Sequence, residues 1–239
     1  MKCQRFNKNS KSEYNLIFIY EDNLSSLNKS DIEKVALDDM KSAVSKKLIN
    51  GKASTTNIFA SNFYDKNYFL IGLGKKNDLT IQIFEKSLNI ALKMINSYDI
   101  KSISVDLRNT NLKNYNNLQG CIIEIEKTQY SYRKATDSSL RECVLKISEK
   151  ISTAAFNNIK NNSVAVANGL NTARRLGDTP PNICNPSFLA KEAKKLEKLN
   201  KNLKVEILDE KQMRTLKMGS LLSVSQGSNQ PAKLVIIKY

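Results

Sequence analysis

The 239-residue chain contains no histidine and has four cysteines, Cys3, Cys121, Cys143 and Cys184. Without an imidazole there is no Ser-His-Asp or Cys-His pair, no imidazole general base and no histidine-bearing zinc site. The cysteines show no C-x-x-C spacing, so reduced, mostly buried thiols are their ordinary reading. Metal chemistry would therefore fall to carboxylates or thiolates. Three acidic pairs come into question. Asp38-Asp39 sits on a lysine-flanked helical pattern, and Glu124 and Glu126 lie beside an apolar helical run, where a solvated face is expected. Asp209-Glu210 follows a strand pattern, where capping of a short helix accounts for it. None forms a convergent constellation, so no catalytic, metal-binding or cofactor-binding residue is assigned. Gly72-x-Gly74 invites comparison with a phosphate loop, but Lys75-Lys76-Asn77-Asp78 follows without a third glycine, and no G-x-x-x-x-G-K-[ST] occurs. Glycines that let a strand turn sharply are the simpler explanation.

The elements that would position these residues alternate. Strand patterns cover 14–20, 56–60, 68–74, 103–107 and 143–147. Helical patterns cover 31–48, with Ser30 as its cap and Gly51 marking its end, 79–96 with Thr80 as its cap, and 118–133, preceded by an Asn-rich stretch over 109–117. This order predicts an α/β fold with a mixed sheet flanked by helices. From 151 to 177 runs one long helical pattern, interrupted by a polar patch at 157–162, which reads as a connector. Pro180 and Pro181 stop it. A new helix is expected from Asn185-Pro186, then a strand at 205–208, a short helix ending near Leu216, and a buried strand over 234–239.

An apolar fraction of 41% can supply a packed core. No stretch approaches the roughly 18 apolar residues of a membrane span, and the apolar run at 16–20 is too short for a signal peptide, so no membrane contact and a cytoplasmic location are expected. The net charge of +15 would ordinarily point to nucleic acid. The lysines are spread among asparagines along the whole chain, however, which leaves only non-specific phosphate contact as the expectation.

The run Ala173-Arg-Arg-Leu-Gly-Asp-Thr-Pro-Pro-Asn-Ile-Cys-Asn-Pro186, with Glu206-Ile-Leu-Asp-Glu-Lys-Gln-Met213, Met218-Gly-Ser-Leu-Leu222 and Gln226-Gly-Ser228 after it, resembles the leucine aminopeptidases, also called cytosol aminopeptidases. Phe69-Leu-Ile-Gly-Leu-Gly-Lys-Lys76 and the segment 130–134 are similar to that family's N-terminal domain. The resemblance implies a macro-like N-terminal domain over 1–150, a linker helix over 151–178 and the opening of an incomplete α/β peptidase domain over 179–239. It also implies a homohexameric exopeptidase that acts on the N-terminal residue of peptides with two divalent ions, Mn²⁺ or Zn²⁺, on carboxylates and a lysine. The family's ligand-bearing segments, a Gly-Lys-Gly turn leading to Phe-Asp-Ser-Gly-Gly and an Asn-Thr-Asp-Ala-Glu-Gly-Arg run, do not occur in this sequence. The expectation is a truncated aminopeptidase whose 239 residues ligate no metal and cleave no peptide bond by themselves. Its alternatives are a stand-alone macro-like binding module and a weak DNA-binding protein.

Overall fold

The computed structural model describes residues 2–7, 12–24, 32–98, 100–108, 110, 114–132 and 140–239. Two compact units divide the chain, the first ending at Thr172 and the second spanning Ala173–Tyr239.

The first unit is built on a six-stranded sheet in the order β1-β6-β5-β2-β4-β3. Its strands are β1 (Lys2–Arg5), β2 (Tyr14–Ile19), β3 (Thr56–Phe59), β4 (Asn67–Gly72), β5 (Ser102–Asp106) and β6 (Glu142–Lys146). All neighbours pair parallel except β3, which runs antiparallel to β4. The expected mixed sheet flanked by helices is thus the observed architecture. Parallel strands must be covered, and the sequence provides helices between them. These are α1 (Lys34–Ser45), α2 (Ile81–Ser97), α3 (Asn114–Lys127) and the start of α4 (Thr153–Asp178).

Side-chain alternation along each strand splits the core in two. Leu16, Phe18, Phe69, Ile71, Ile103, Val105, Cys143 and Leu145 face one side, where they pack with Phe84, Leu88, Leu92 and Ile95 of α2, Cys121, Ile122 and Ile125 of α3, and Phe156 of α4. Ile17, Ile19, Tyr68 and Leu70 face the other side, under Ala36, Leu37 and Met40 of α1. A fully buried side chain of this size contributes about 1.5–3 kcal/mol, so the larger cluster dominates the stability of the unit. In α2, the spacing of Phe84, Leu88, Ala91, Leu92 and Ile95 makes one apolar stripe, and the Thr80 hydroxyl caps its first turn by accepting from the Ile83 N–H at 3.3 Å.

Several boundaries differ from the sequence expectation. Strand β1 was not foreseen, because its alternation over four residues is too short to register. Helix α1 begins at Lys34 behind Glu33, and the expected start at Asp31 and cap at Ser30 lie outside the described residues. Helix α3 starts inside the Asn-rich stretch at Asn114 and ends at Lys127, short of 133; Thr128 closes it by bonding its N–H and hydroxyl back to the Ile125 carbonyl, while Arg133 and Lys134 lie outside the described residues. Helix α4 is continuous through the polar patch. Exposed asparagines there face solvent without breaking the ladder, and the buried Ser163 hydroxyl bonds the Ile159 carbonyl at 2.7 Å.

In the second unit, α5 (Pro186–Lys195) precedes the antiparallel pair β7 (Lys204–Leu208) and β8 (Leu234–Lys238), separated by α6 (Glu210–Thr215) and α7 (Gly219–Ser225). Its core is small: Leu208, Met213 and Leu222, with Met218, Ala232, Leu234 and Ile236 against them. The buried strand expected over 234–239 is instead half-buried to Ile236 and exposed beyond, with Ile237 50% exposed. Its apolar composition led to that expectation; in the structure β8 has one described strand neighbour, β7, and packs against a core of few residues.

Candidate functional site

The residues singled out from sequence do not come together. Asp38 and Asp39 are exposed; Asp38 lies 3.9 Å from Lys41, and Asp39 accepts the Tyr64 hydroxyl at 2.6 Å. Asp209 is the N-cap of α6, its side chain accepting from the Gln212 N–H at 2.9 Å while the Gln212 side chain accepts from the Asp209 N–H. Glu124 and Glu126 overturn the solvated-face expectation, being 4% and 9% exposed. Glu124 takes a 2.8 Å bond from the Asn89 amide and pairs with Lys127, so donors on α2 and α3 compensate its burial. Glu126 faces the Cys3 thiol, 3.9 Å away, and burial raises its carboxyl above the usual range. Cys3, Cys121 and Cys143 are free and buried, and burial holds the thiols of Cys121 and Cys143 well above their ordinary range, the wrong direction for a nucleophile. Cys184 is a free, half-buried thiol.

The glycines of Gly72-x-Gly74 have a structural reason. A Cβ on Gly72 would sit 2.1 Å from the Lys52 carbonyl oxygen and 2.3 Å from the Thr55 hydroxyl, and Gly74 adopts φ +77°. The backbone amides are also engaged: Gly72 N–H bonds the Thr55 carbonyl at 2.8 Å and Gly74 N–H the Gly51 carbonyl at 2.9 Å. They are not directed at a phosphate.

The feature that sequence reasoning missed is a polar row on the sheet. Asn15 of β2, Ser104 of β5 and Val144 of β6 lie in register, and two positions on lie Ile17, Asp106 and Lys146. These side chains share the face that α1 covers over β2 and β4. The signal was present in the pattern: Asn15, the pair Ser104 and Asp106 two positions apart, and Lys146 interrupt strands whose opposite face is apolar. All four are buried, at 5%, 3%, 7% and 9% exposure. Asp106 is held by the Arg108 guanidinium, and burial nonetheless leaves its carboxyl above the usual range, opposed by the Arg108 N–H and the Lys146 charge. Burial likewise lowers the Lys146 ammonium, with Asp106 acting against it. The Lys146 Nζ stands 5.4 Å from the centre of the Phe6 ring. A cavity of about 360 Å³ opens over this row.

In the second unit the proline corner is an ordered turn. The N–H groups of Ile183 and Cys184 both donate to the Pro180 carbonyl, at 2.9 and 2.8 Å, and Asn185 caps α5 by accepting from the Phe188 N–H at 3.0 Å. Pro186 takes the first helical position, where its missing N–H costs nothing. Glu192 on α5 accepts from Arg175 at 2.6 Å and from Lys195, which together hold its carboxyl below the usual range. Among the described residues, no three of the cysteine, aspartate and glutamate side chains gather so as to hold a metal ion. A two-metal centre therefore does not fit them.

The N-terminal domain of the cytosol aminopeptidase family matches residues 16–138, and the catalytic domain of the same family matches residues 171–239. A probable cytosol aminopeptidase of Pseudomonas syringae pv. tomato is 34% identical over 199 residues, and one of Nitrosomonas eutropha 30% over 203 residues, covering 79% and 80% of this chain. The cytosol aminopeptidase of Pseudomonas aeruginosa is 32% identical over 199 residues. The chain spans about 40% of the length of each of these curated relatives. Among solved structures, a tomato leucine aminopeptidase mutant superposes with a TM-score of 0.79 at 18% identity, over 98% of this chain and 49% of that one. The bottromycin maturation enzyme BotP does so with a TM-score of 0.73 at 14% identity, over 96% and 46%. At these identities the structural likeness speaks for the fold alone. Two matches to one family, in chain order and both within this chain, carry the assignment: the chain belongs to the cytosol aminopeptidase family.

Proposed function

We propose that these residues supply the N-terminal domain, over 1–150, a linker helix, over 151–178, and the opening segment, over 179–239, of a metal-dependent cytoplasmic aminopeptidase. In this reading the residues that bind the metal ions and cleave the peptide lie in sequence other than these 239 residues. The observation that carries it is the pairing of a family catalytic-domain match over 171–239 with a set of carboxylates of which none gathers to hold an ion among the described residues. Each acidic residue that the sequence put forward has a local partner or a cap instead. The complete enzyme would take peptides as substrates, release their N-terminal residue with two Mn²⁺ or Zn²⁺ ions, and assemble as a hexamer.

Incubation of the purified chain with Leu-p-nitroanilide and either Mn²⁺ or Zn²⁺ tests this. The expected result is no turnover above a chelated control; turnover that the chelator abolishes would overturn the assignment of catalysis to other residues. Light scattering on the same sample reads assembly, with a hexamer favouring the family arrangement already at this length.

A further inference from the structure

Two side chains of the polar row each bury a polar atom that is left unbonded among the described residues. Among the described residues, the Asn15 amide nitrogen and the Ser104 hydroxyl find no hydrogen-bond partner, although their residues are 5% and 3% exposed. Leaving such a group unpaired costs about 1–3 kcal/mol, so each calls for an explanation. They stand opposite each other on β2 and β5, about 4.8 Å apart as neighbouring strands are, and can converge on one small group. Both line the cavity of about 360 Å³, which lies in the size range of ligand sites, roughly 300–1,000 Å³.

The remaining walls define the ligand by charge. Lys146 and Lys66 bring ammonium groups, and Phe6 and Val144 apolar surface. Of the acids nearby, Asp106 is clasped by Arg108, and Glu33 accepts the backbone N–H groups of Asp65 and Lys66 at 2.7 and 3.2 Å. Asp65 lies exposed at the rim. Asn15, Ser104 and Lys146 line one space, and an unpaired amide N–H and hydroxyl beside an ammonium ask for an acceptor with negative charge. We propose that this cleft binds a small oxyanion, the carboxylate or phosphate group of a metabolite, through Asn15 Nδ2, Ser104 Oγ and Lys146 Nζ.

The site is independent of the peptidase reading and lies apart from Gly72 and Gly74. It is tested on the full 239-residue chain, ¹⁵N-labelled and titrated with inorganic phosphate and, separately, acetate, against a chloride control. The expected result is a saturable shift of the Asn15 side-chain amide resonances with at least one anion, phosphate alone marking a phosphate ligand and acetate a carboxylate. Ser104→Ala removes an unbonded hydroxyl and is expected to fold at least as stably as the parent, yet to weaken binding about tenfold, the value of one charge-assisted bond. Lys146→Met is expected to abolish it. Absence of any anion-dependent shift at millimolar concentrations overturns the proposal, and so does unchanged affinity in Ser104→Ala.

Discussion

Arg108 clasps Asp106 from two residues away, its Nε 2.8 Å from Oδ1, its Nη2 on Oδ2, and its backbone N–H 3.1 Å from Oδ1. The carboxylate is buried and the guanidinium half-exposed, so the pair lets a charge sit at the end of β5 without being stranded.

Removing that clasp has a definite pH signature. Arg108→Ala is expected to cost about 1–3 kcal/mol at neutral pH, since a buried carboxylate loses donors. Burial already puts the folded carboxyl of Asp106 above its usual range, so the folded state binds the proton more tightly than the unfolded chain does. Stability from this group is therefore greatest below the unfolded value and falls as pH rises through the folded one. Alanine keeps the backbone N–H at 108 that opposes this rise, but the carboxylate loses the guanidinium bonded to its charged form, so the folded value is expected to rise further. Urea denaturation across pH should show the deficit of the variant shrinking as Asp106 protonates, and a deficit independent of pH would contradict the account.

Gly72 and Gly74 separate a close approach from a backbone preference. Gly72→Ala drives a methyl against the Lys52 carbonyl at 2.1 Å, which only backbone movement can relieve, and a loss of at least about 1–3 kcal/mol is expected. Gly74→Ala meets only Ala53, at 3.4 Å, and is expected to cost about 1–2 kcal/mol through its positive φ. Chemical denaturation of both variants checks the order, and an equal or reversed ranking would show that the turn yields more easily than the geometry implies.

The strands and helices were legible where periodicity ran long. The stripe of α2 and the apolar runs of β2 and β4 declare themselves, and so does the stop at Pro180-Pro181. Strand β1 was hidden because its four residues pair, among the described strands, with β6 alone, a partner about 140 positions away along the chain. Glu124 and Glu126 misled because helical position alone does not say which face finds a donor; Asn89, Lys127 and Cys3 come from elsewhere in the fold or the next turn. The polar row was legible only in part. Asn15, Ser104, Asp106 and Lys146 break the apolar pattern, but parallel register places them side by side, and register is not written locally.

The capping box of α6 predicts a modest and local effect. Asp209→Ala removes the acceptor for the Gln212 N–H, while the backbone N–H that donates to the Gln212 side chain remains, and should cost about 1 kcal/mol. Asp209→Asn or Asp209→Ser should restore most of it. Hydrogen exchange at Gln212 and Met213 reads the change directly; unaltered protection in the alanine variant would mean that the cap does not hold the first turn.

Arg175 belongs to the run that carries the family resemblance, and in the structure it serves Glu192. The carboxylate is bonded first by Lys195 and then by Arg175, and both lower it from its usual range. A depressed acid contributes stability above its unfolded value and loses it as pH falls through the folded one, so this contribution disappears toward acid pH. Arg175 and Lys195 are solvent-exposed, and each bond is worth no more than about 1 kcal/mol, screened by salt. Arg175→Ala should therefore lower thermal stability slightly at neutral pH and low salt, and match the parent at acid pH or in molar salt. A large loss that survives high salt would show that Arg175 does more than pair with Glu192.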